Sequence, residues 1–304
     1  MITVNMGLMR GEEGKTMMMK HSANILSSLL ILICFHVLNA QDQAFLKRSV
    51  DSVSIVTSEI STETAYYKPL FGAGDENSHI VEGIKRFGHL VIEPGGNSNP
   101  VTYEREEQIY YILEGTGILH YGKQEIPISK NDFMYLPVGV KHGLSNPRER
   151  ELIVVVMGYE IPGGMDITPT DKLMLASSDE VPLIVLGQHG PSTKFKLLLG
   201  TTSSERDRIA AAYRVNSLFI MDFAAGGTNI PHRHEGEEEI YFVLQGEGEM
   251  VAGGTPENEV RFEAKEGDAF FFSRNLLIGF YSGMHEGEEH ARILAVRSKY
   301  PLQR

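Results

Sequence analysis

One cysteine, Cys34, is all the thiol the 304 residues contain. It lies within an N-terminal apolar run, residues 25–38, so the rest of the chain has no disulfide and no thiolate metal ligand. An exported protein of this length can manage without disulfides if its core is large. Ile33 precedes Cys34, where a lipid-modified cysteine normally has a small residue. Basic residues are scarce too: 28 Lys and Arg face 40 Asp and Glu, a formal charge of −12. With no basic cluster to offset it, this argues against nucleic acid and anionic membrane as partners, since a phosphate backbone demands Lys and Arg. A long apolar stretch is also missing, because residues 25–38 fall short of the roughly 20 that a membrane span needs. Lys15 and Lys20 precede that run, and Asn39-Ala40 and the polar Gln41-Asp42-Gln43 follow it. The pattern reads as a signal peptide over residues 1–40, cleaved near Ala40/Gln41, which implies a secreted or periplasmic protein; a retained anchor is the alternative.

What is present is a folded composition, 42% hydrophobic and 22% charged, long enough for one large or two ordinary domains. Strand-like pieces occupy residues 50–56 and 66–71, an N-terminal arm over residues 41–75. Clearer strands follow at 87–92, 108–113, 118–121, 133–136 and 152–157, with turn signals about every ten residues, as in an all-β sandwich or barrel. Residues 161–180 read as a linker, and residues 181–186 and 194–199 as strands opening the second domain. Residues 203–212 read as a short helix capped by Ser204.

The second half repeats the first. Gly95-Gly96, Pro100, Ile109, Leu113, Gly115 and Gly117 recur 131 residues later as Gly226-Gly227, Pro231, Ile240, Leu244, Gly246 and Gly248. From Asp132 and Asp268 onward the offset is 136, which places five extra residues in the hairpin around residues 253–258. A constant offset across strands and turns means a duplicated domain.

The stretch from Pro231 to Gly248 carries the chemistry. His232 and His234, one residue apart, share a strand face, and Glu239 follows an acidic turn at the head of an apolar run. Two imidazoles and a carboxylate converging between strands form a ligand set that transition metals accept. Glu235, Glu237 and Glu238 read as solvated loop carboxylates, and His285 and His290 as surface residues.

His232, His234, Glu239 and Gly246 match His-x-His-x4-Glu-x6-Gly, and the chain thereby resembles the cupin superfamily. The family's second signature, Gly-x5-Pro-x-Gly-x2-His-x3-Asn, is only partly kept after Gly267: Ser273, Asn275 and Ile278 stand where Pro, Gly and His are expected. In the first copy Val101, Tyr103 and Gln108 replace the first three ligands, while Pro137, Gly139, His142 and Asn146 keep the second signature and Asn131 replaces its Gly. The resemblance implies an all-β bicupin, two tandem jelly-roll-like barrels over residues 76–160 and 181–304. It implies one divalent transition metal (Mn, Fe, Zn, Ni or Cu) in the second barrel, with three protein ligands rather than four.

Tyr241, Ile278 and Phe280 are candidates for a substrate pocket beside the metal, with Phe270 or Phe271 and Phe242 as further walls. Tyr103, Gln108 and His142 form a degenerate first site, a poor one for metal because Gln is a weak neutral ligand. There His142 is expected to be a buried histidine bonded to Gln108 or Tyr103. The implied function is metal-dependent enzymology on a small organic molecule, of dioxygenase, decarboxylase, lyase or hydrolase type. The alternative is a non-enzymatic metal- or sugar-binding module like the seed-storage relatives. The layout resembles exported ureidoglycine aminohydrolases, but their ligand order differs, and oxalate decarboxylases and germins use four ligands. The expected partner is a small-molecule ligand, with self-association into a homo-oligomer as a further expectation.

Overall fold

The computed structural model describes residues 44–81, 83–187, 189–284 and 291–299. The expected signal peptide, Cys34, His285 and His290 lie outside the described residues. In chain order the strands are β1 (Phe45–Ser49), β2 (Ala65–Gly72), β3 (Arg86–Ile92), β4 (Glu106–Glu114), β5 (Thr116–Tyr121), β6 (Gln124–Ser129), β7 (Asp132–Leu136), β8 (His142–Ser145), β9 (Leu152–Glu160) and β10 (Met174–Ser177), then β11 (Thr193–Thr201), β12 (Ile209–Ala212), β13 (Val215–Phe223), β14 (Glu237–Gln245), β15 (Glu247–Thr255), β16 (Asn258–Lys265), β17 (Asp268–Phe272), β18 (Ile278–Ser282) and β19 (Ala291–Lys299). The first half pairs the sheet β10-β7-β4-β9-β3-β2 with the smaller sheet β6-β5-β8, and the second pairs β1-β17-β14-β19-β13-β11-β12 with β16-β15-β18. Both halves are cupin-type jelly rolls.

The duplication is visible strand by strand. β4 and β14 stand 131 residues apart, and β7 and β17 stand 136 apart, as the sequence offsets require. The extra five residues lengthen both arms of one hairpin, since β5 and β6 have six residues each where β15 has nine and β16 eight. Two glycines have been exchanged for asparagine between the copies, and all four positions keep the left-handed backbone. Asn131 (φ 73) answers Gly267 (φ 82), and Asn275 (φ 62) answers Gly139 (φ 77). Asparagine is among the few residues that tolerate this region.

Alternation along each strand decides which core its side chains feed. Tyr241 and Phe270 point into the second barrel with Phe195, Met221 and Phe280, whereas Phe242 and Phe271 turn into a cluster shared with Phe71, Phe87 and Tyr111 of the first half. A third cluster, including Tyr67, Leu90, Tyr110 and Met134, fills the first barrel. Each such fully buried side chain contributes about 1.5–3 kcal/mol.

The halves also exchange segments. β1 pairs with β17, at the edge of the second barrel's sheet, while β2, twenty residues on, pairs with β3 of the first. The stretch read as an arm thus serves both barrels. Reciprocally β10, inside the stretch read as a linker, completes the edge of the first barrel against β7. Two buried carboxylates at equivalent positions reinforce the exchange. Glu107 accepts hydrogen bonds from the Tyr213, Arg214 and Val215 amides at 2.7, 2.9 and 3.2 Å and from the Tyr135 hydroxyl at 3.0 Å. Glu238, its repeat partner, accepts from the Gly83 amide at 2.9 Å. Burial pushes the Glu107 carboxyl up, and the amide bonds pull against that.

Four expectations fail. Residues 50–56 form a turn ending in an isolated bridge of Val56 to Tyr67, and residues 181–186 form only the bridge of Ile184 to Phe195. Residues 203–212 are not helical. Ser204 does accept from the Arg206 and Asp207 amides, but Asp207 folds back onto its hydroxyl, and residues 209–212 then run as β12 parallel to β11. Glu238, expected to be solvated, is 2% exposed.

Candidate metal centre in the second barrel

His232 lies in an antiparallel bridge with Ile278, each amide donating to the other's carbonyl at 2.9 Å. His234 follows in the loop before β14, so the two histidines do not occupy one strand face as expected. Arg233 between them points away, held by the Gly254 carbonyl at 2.7 Å and by that of Asn275. The imidazoles meet because the chain bends there, with their Nε2 atoms 3.0 Å apart and their rings at 89°.

The outer face of the His232 ring fixes its tautomer. His232 Nδ1 is 2.9 Å from the Ile230 carbonyl, which can only accept, so Nδ1 carries the proton and Nε2 the lone pair. His234 Nδ1 lies 3.4 Å from a Glu237 carboxylate oxygen. Burial also lowers the His232 pKa. Ile230 has φ 52, a left-handed conformation that costs a β-branched residue about 1–3 kcal/mol, and it is the residue whose carbonyl orients His232. Glu239 completes the cluster from β14. Its Oε2 stands 3.2 Å from His234 Nε2, and this buried oxygen has no hydrogen-bond partner.

Among the described residues no group of three or more His, Cys, Asp and Glu side chains stands ready-made as a metal site. The three donors here pack on one another instead. Their chemistry nonetheless fits a divalent ion. Two imidazole Nε2 atoms stand together beside a buried carboxylate oxygen that has no hydrogen-bond partner, a donor set that a divalent cation would satisfy. Ligands about 2.1 Å from one ion at right angles lie about 3.0 Å apart, the spacing found.

Tyr241, on the same face of β14 as Glu239, lines the cavity with His232, His234 and Glu239, and its hydroxyl accepts from Asn229 at 3.2 Å. Ile278 is brought to the site by its backbone bridge, but its side chain belongs to the barrel core, as does Phe280, which packs edge-on to Phe223 at 4.9 Å. Phe270 fills the same interior, whereas Phe242 and Phe271 face the other core. The cavity also receives Arg206, Arg297 and the unpartnered Ser217 hydroxyl, and its volume is only ≈ 30 Å³.

The first barrel places Tyr103, Gln108 and His142 around an arginine. Arg86 of β3 binds Glu106 through Nε at 2.5 Å and Nη2 at 3.1 Å, pairs with Glu59, and lies 4.9 Å over the Tyr103 ring. Gln108 donates to Glu106 at 2.6 Å, and Tyr103 to Glu59 at 2.9 Å. Burial opposes the charge on Arg86, but the Glu106 carboxylate outweighs it and raises the guanidinium pKa. Gly158 makes room, since a Cβ there would stand 2.7 Å from Arg86 Cγ and closer still to Glu106 and Gln108. His142 bonds to neither Gln108 nor Tyr103, contrary to expectation. Its Nδ1 takes the Val140 carbonyl at 3.0 Å, and its buried Nε2 has no partner.

The family model described as a cupin domain matches twice, over residues 88–158 and 219–297. The chain is a bicupin. An oxalate-binding protein of Thermotoga maritima is 30% identical over 66 residues, a match that covers 22% of this chain and 54%, about half, of the relative. Among solved structures, protein Ylba from Escherichia coli is similar with TM-score 0.64 and 13% identity, covering 84% of this bicupin and 91% of that chain. The bacterial pirin YhhW from Escherichia coli, in complex with nickel(II), is similar with TM-score 0.62 and 14% identity, covering 85% and 100%. At these identities the likeness shows the fold alone.

Sequence reasoning missed Arg86, Glu106 and Asn229. The repeat could have found Asn229. It sits 131 residues after Ser98, and both side chains cap the same strand, Ser98 accepting from the Leu144 amide at 2.9 Å and Asn229 from the Phe280 amide at 2.8 Å. No signal marked Arg86.

Proposed function

We propose that the second barrel of this bicupin binds one divalent transition metal through His232 Nε2, His234 Nε2 and Glu239, and acts there on a small organic molecule. One observation carries this reading: the His232 and His234 Nε2 atoms stand 3.0 Å apart beside a buried Glu239 oxygen that has no hydrogen-bond partner. Bound there, the ion would supply Lewis acidity and open positions for water, dioxygen or substrate. The chain's own residues then bind and orient. Arg206 and Arg297 favour a carboxylate-bearing substrate, Tyr241 offers a hydroxyl, and Phe195, Phe219 and Met221 exclude water. The small cavity favours the second reading, a binding module without turnover.

Elemental analysis should find one metal per chain, none in His232→Ala or His234→Ala, and one in His142→Ala. Two metals, or loss on changing His142, would overturn the assignment. A turnover screen of metal-loaded protein against oxalate, catechols, flavonols and ureido compounds separates enzyme from binder. The exported form is proposed to begin near Gln41, and the mass of the exported protein decides that.

A further inference from the structure

We infer that His189 supplies a fourth metal donor, from outside the repeated barrel signatures, where Ile278 cannot. This rests on the metal reading above and deepens it. His189 sits in the turn before β11, its amide donating to the Leu186 carbonyl at 2.9 Å. It lines the same cavity as His232, His234 and Glu239. Its ring stands 5.1 Å from the His232 ring at 65°, close to the 4.7 Å that separates His232 from His234. Two imidazoles bound by Nε2 to one ion at about 2.1 Å, at right angles, have ring centres about 4.6 Å apart, so both spacings suit neighbouring ligands.

The ring is also prepared as that of His232 is. His189 Nδ1 lies 2.6 Å from the Asn229 carbonyl, which can only accept, so the proton is on Nδ1 and Nε2 keeps its lone pair. Asn229 is fully buried and fixed on both sides of its amide, by the Phe280 amide and the Tyr241 hydroxyl. Phe195, 5.0 Å away, packs against the His189 ring. His189 and His232 therefore both have Nδ1 tied outward to a backbone carbonyl. The bridge partner of His232 is Ile278, whereas in the first barrel the equivalent bridge joins Val101 to His142. The imidazole lost at 278 is thus replaced from a different segment rather than on the same strand.

The test is a count of coordinated rings in full-length protein loaded with zinc and labelled with 15N-histidine. Three histidine Nε2 signals shifted by the metal are expected in the unaltered chain and two in His189→Gln, with metal loss to a chelator about tenfold faster or more in the variant. Circular dichroism checks that the variant is folded, and if it is not, the count in the unaltered protein decides alone. Two shifted rings in metal-bound unaltered protein would overturn the inference and leave the three-ligand reading standing. No bound zinc at all would overturn both.

Discussion

The two barrels descend from one pattern and solve the same electrostatic problem in opposite ways. The central strands differ at the site: Gln108 of the first stands where Glu239 does in the second, and the first barrel's buried carboxylate is Glu106, two residues before Gln108. In the first, the balancing cation is covalent: Arg86 reaches in from β3 and locks Glu106 and Glu59. In the second, the position equivalent to Arg86 is Ser217, whose hydroxyl has no partner, and the cation comes from β19 instead: Arg297 pairs with Glu237, the repeat partner of Glu106, at 3.5 Å, while Glu239 Oε2 keeps no hydrogen-bond partner. The close Arg86 pair occupies the first site's carboxylates, whereas the second site keeps a free carboxylate oxygen beside two imidazoles for an exchangeable ion. The bridge between Val101 and His142 and that between His232 and Ile278 carry the same lesson, since the imidazole has changed sides of one conserved backbone pair.

The strongest way to break this contrast is Arg86→Met. Removing one partner of a buried ion pair strands Glu106, and a loss of about 3–5 kcal/mol is expected in chemical denaturation. Arg86→Met with Glu106→Gln should recover most of it. An unchanged midpoint in the single variant would show that the first barrel needs no cation.

Next comes pH. His89 is on β3, buried, with burial and then Lys68 depressing its pKa to about 4, while the equivalent position in the second barrel is Ile220. Because the folded value lies below the unfolded one of about 6.5, the stability is fully present above pH ~6.5 and is lost as pH falls toward 4, by up to about 3 kcal/mol. His89→Ile should flatten that slope when unfolding free energy is followed across the window; an unaltered slope would move the sensitivity elsewhere.

Glu107→Gln tests the exchange between halves. Glutamine can accept only part of what the carboxylate does from residues 213–215 and brings two N–H donors into a buried site, so a loss of about 1–3 kcal/mol is expected by calorimetry. A neutral result would mean that strand exchange alone joins the barrels.

The smallest effect is expected from Ile278→His, which restores the first barrel's side of the bridge. Chelator-driven metal loss should slow, against an overpacking penalty of about 1–3 kcal/mol. Unchanged retention in folded protein would place residue 278 away from the donors.

Much of this was legible in the chain because strand alternation and the 131-residue offset are local and repeated. They gave the all-β class, the duplicated halves and the hairpin that holds the five extra residues. What failed were segments whose state depends on a distant neighbour. Residues 209–212 have alternating burial, and β11 supplies the hydrogen-bonding edge that makes them a strand. Glu238 lies in an acidic run that looks solvated until Gly83 of the other half closes over it.

By itself the sequence determined the duplicated barrels and which copy keeps His, His and Glu, because both follow from residue type at fixed spacing. Only the tertiary structure decided how those residues are used: that Arg86 neutralises the first barrel, that β1 and β10 cross between halves, and that His189 reaches the second site. The physical reason is the same in each case. A buried charge or lone pair takes whichever partner is nearest in space, and here that partner lies some twenty to more than a hundred residues away in the chain.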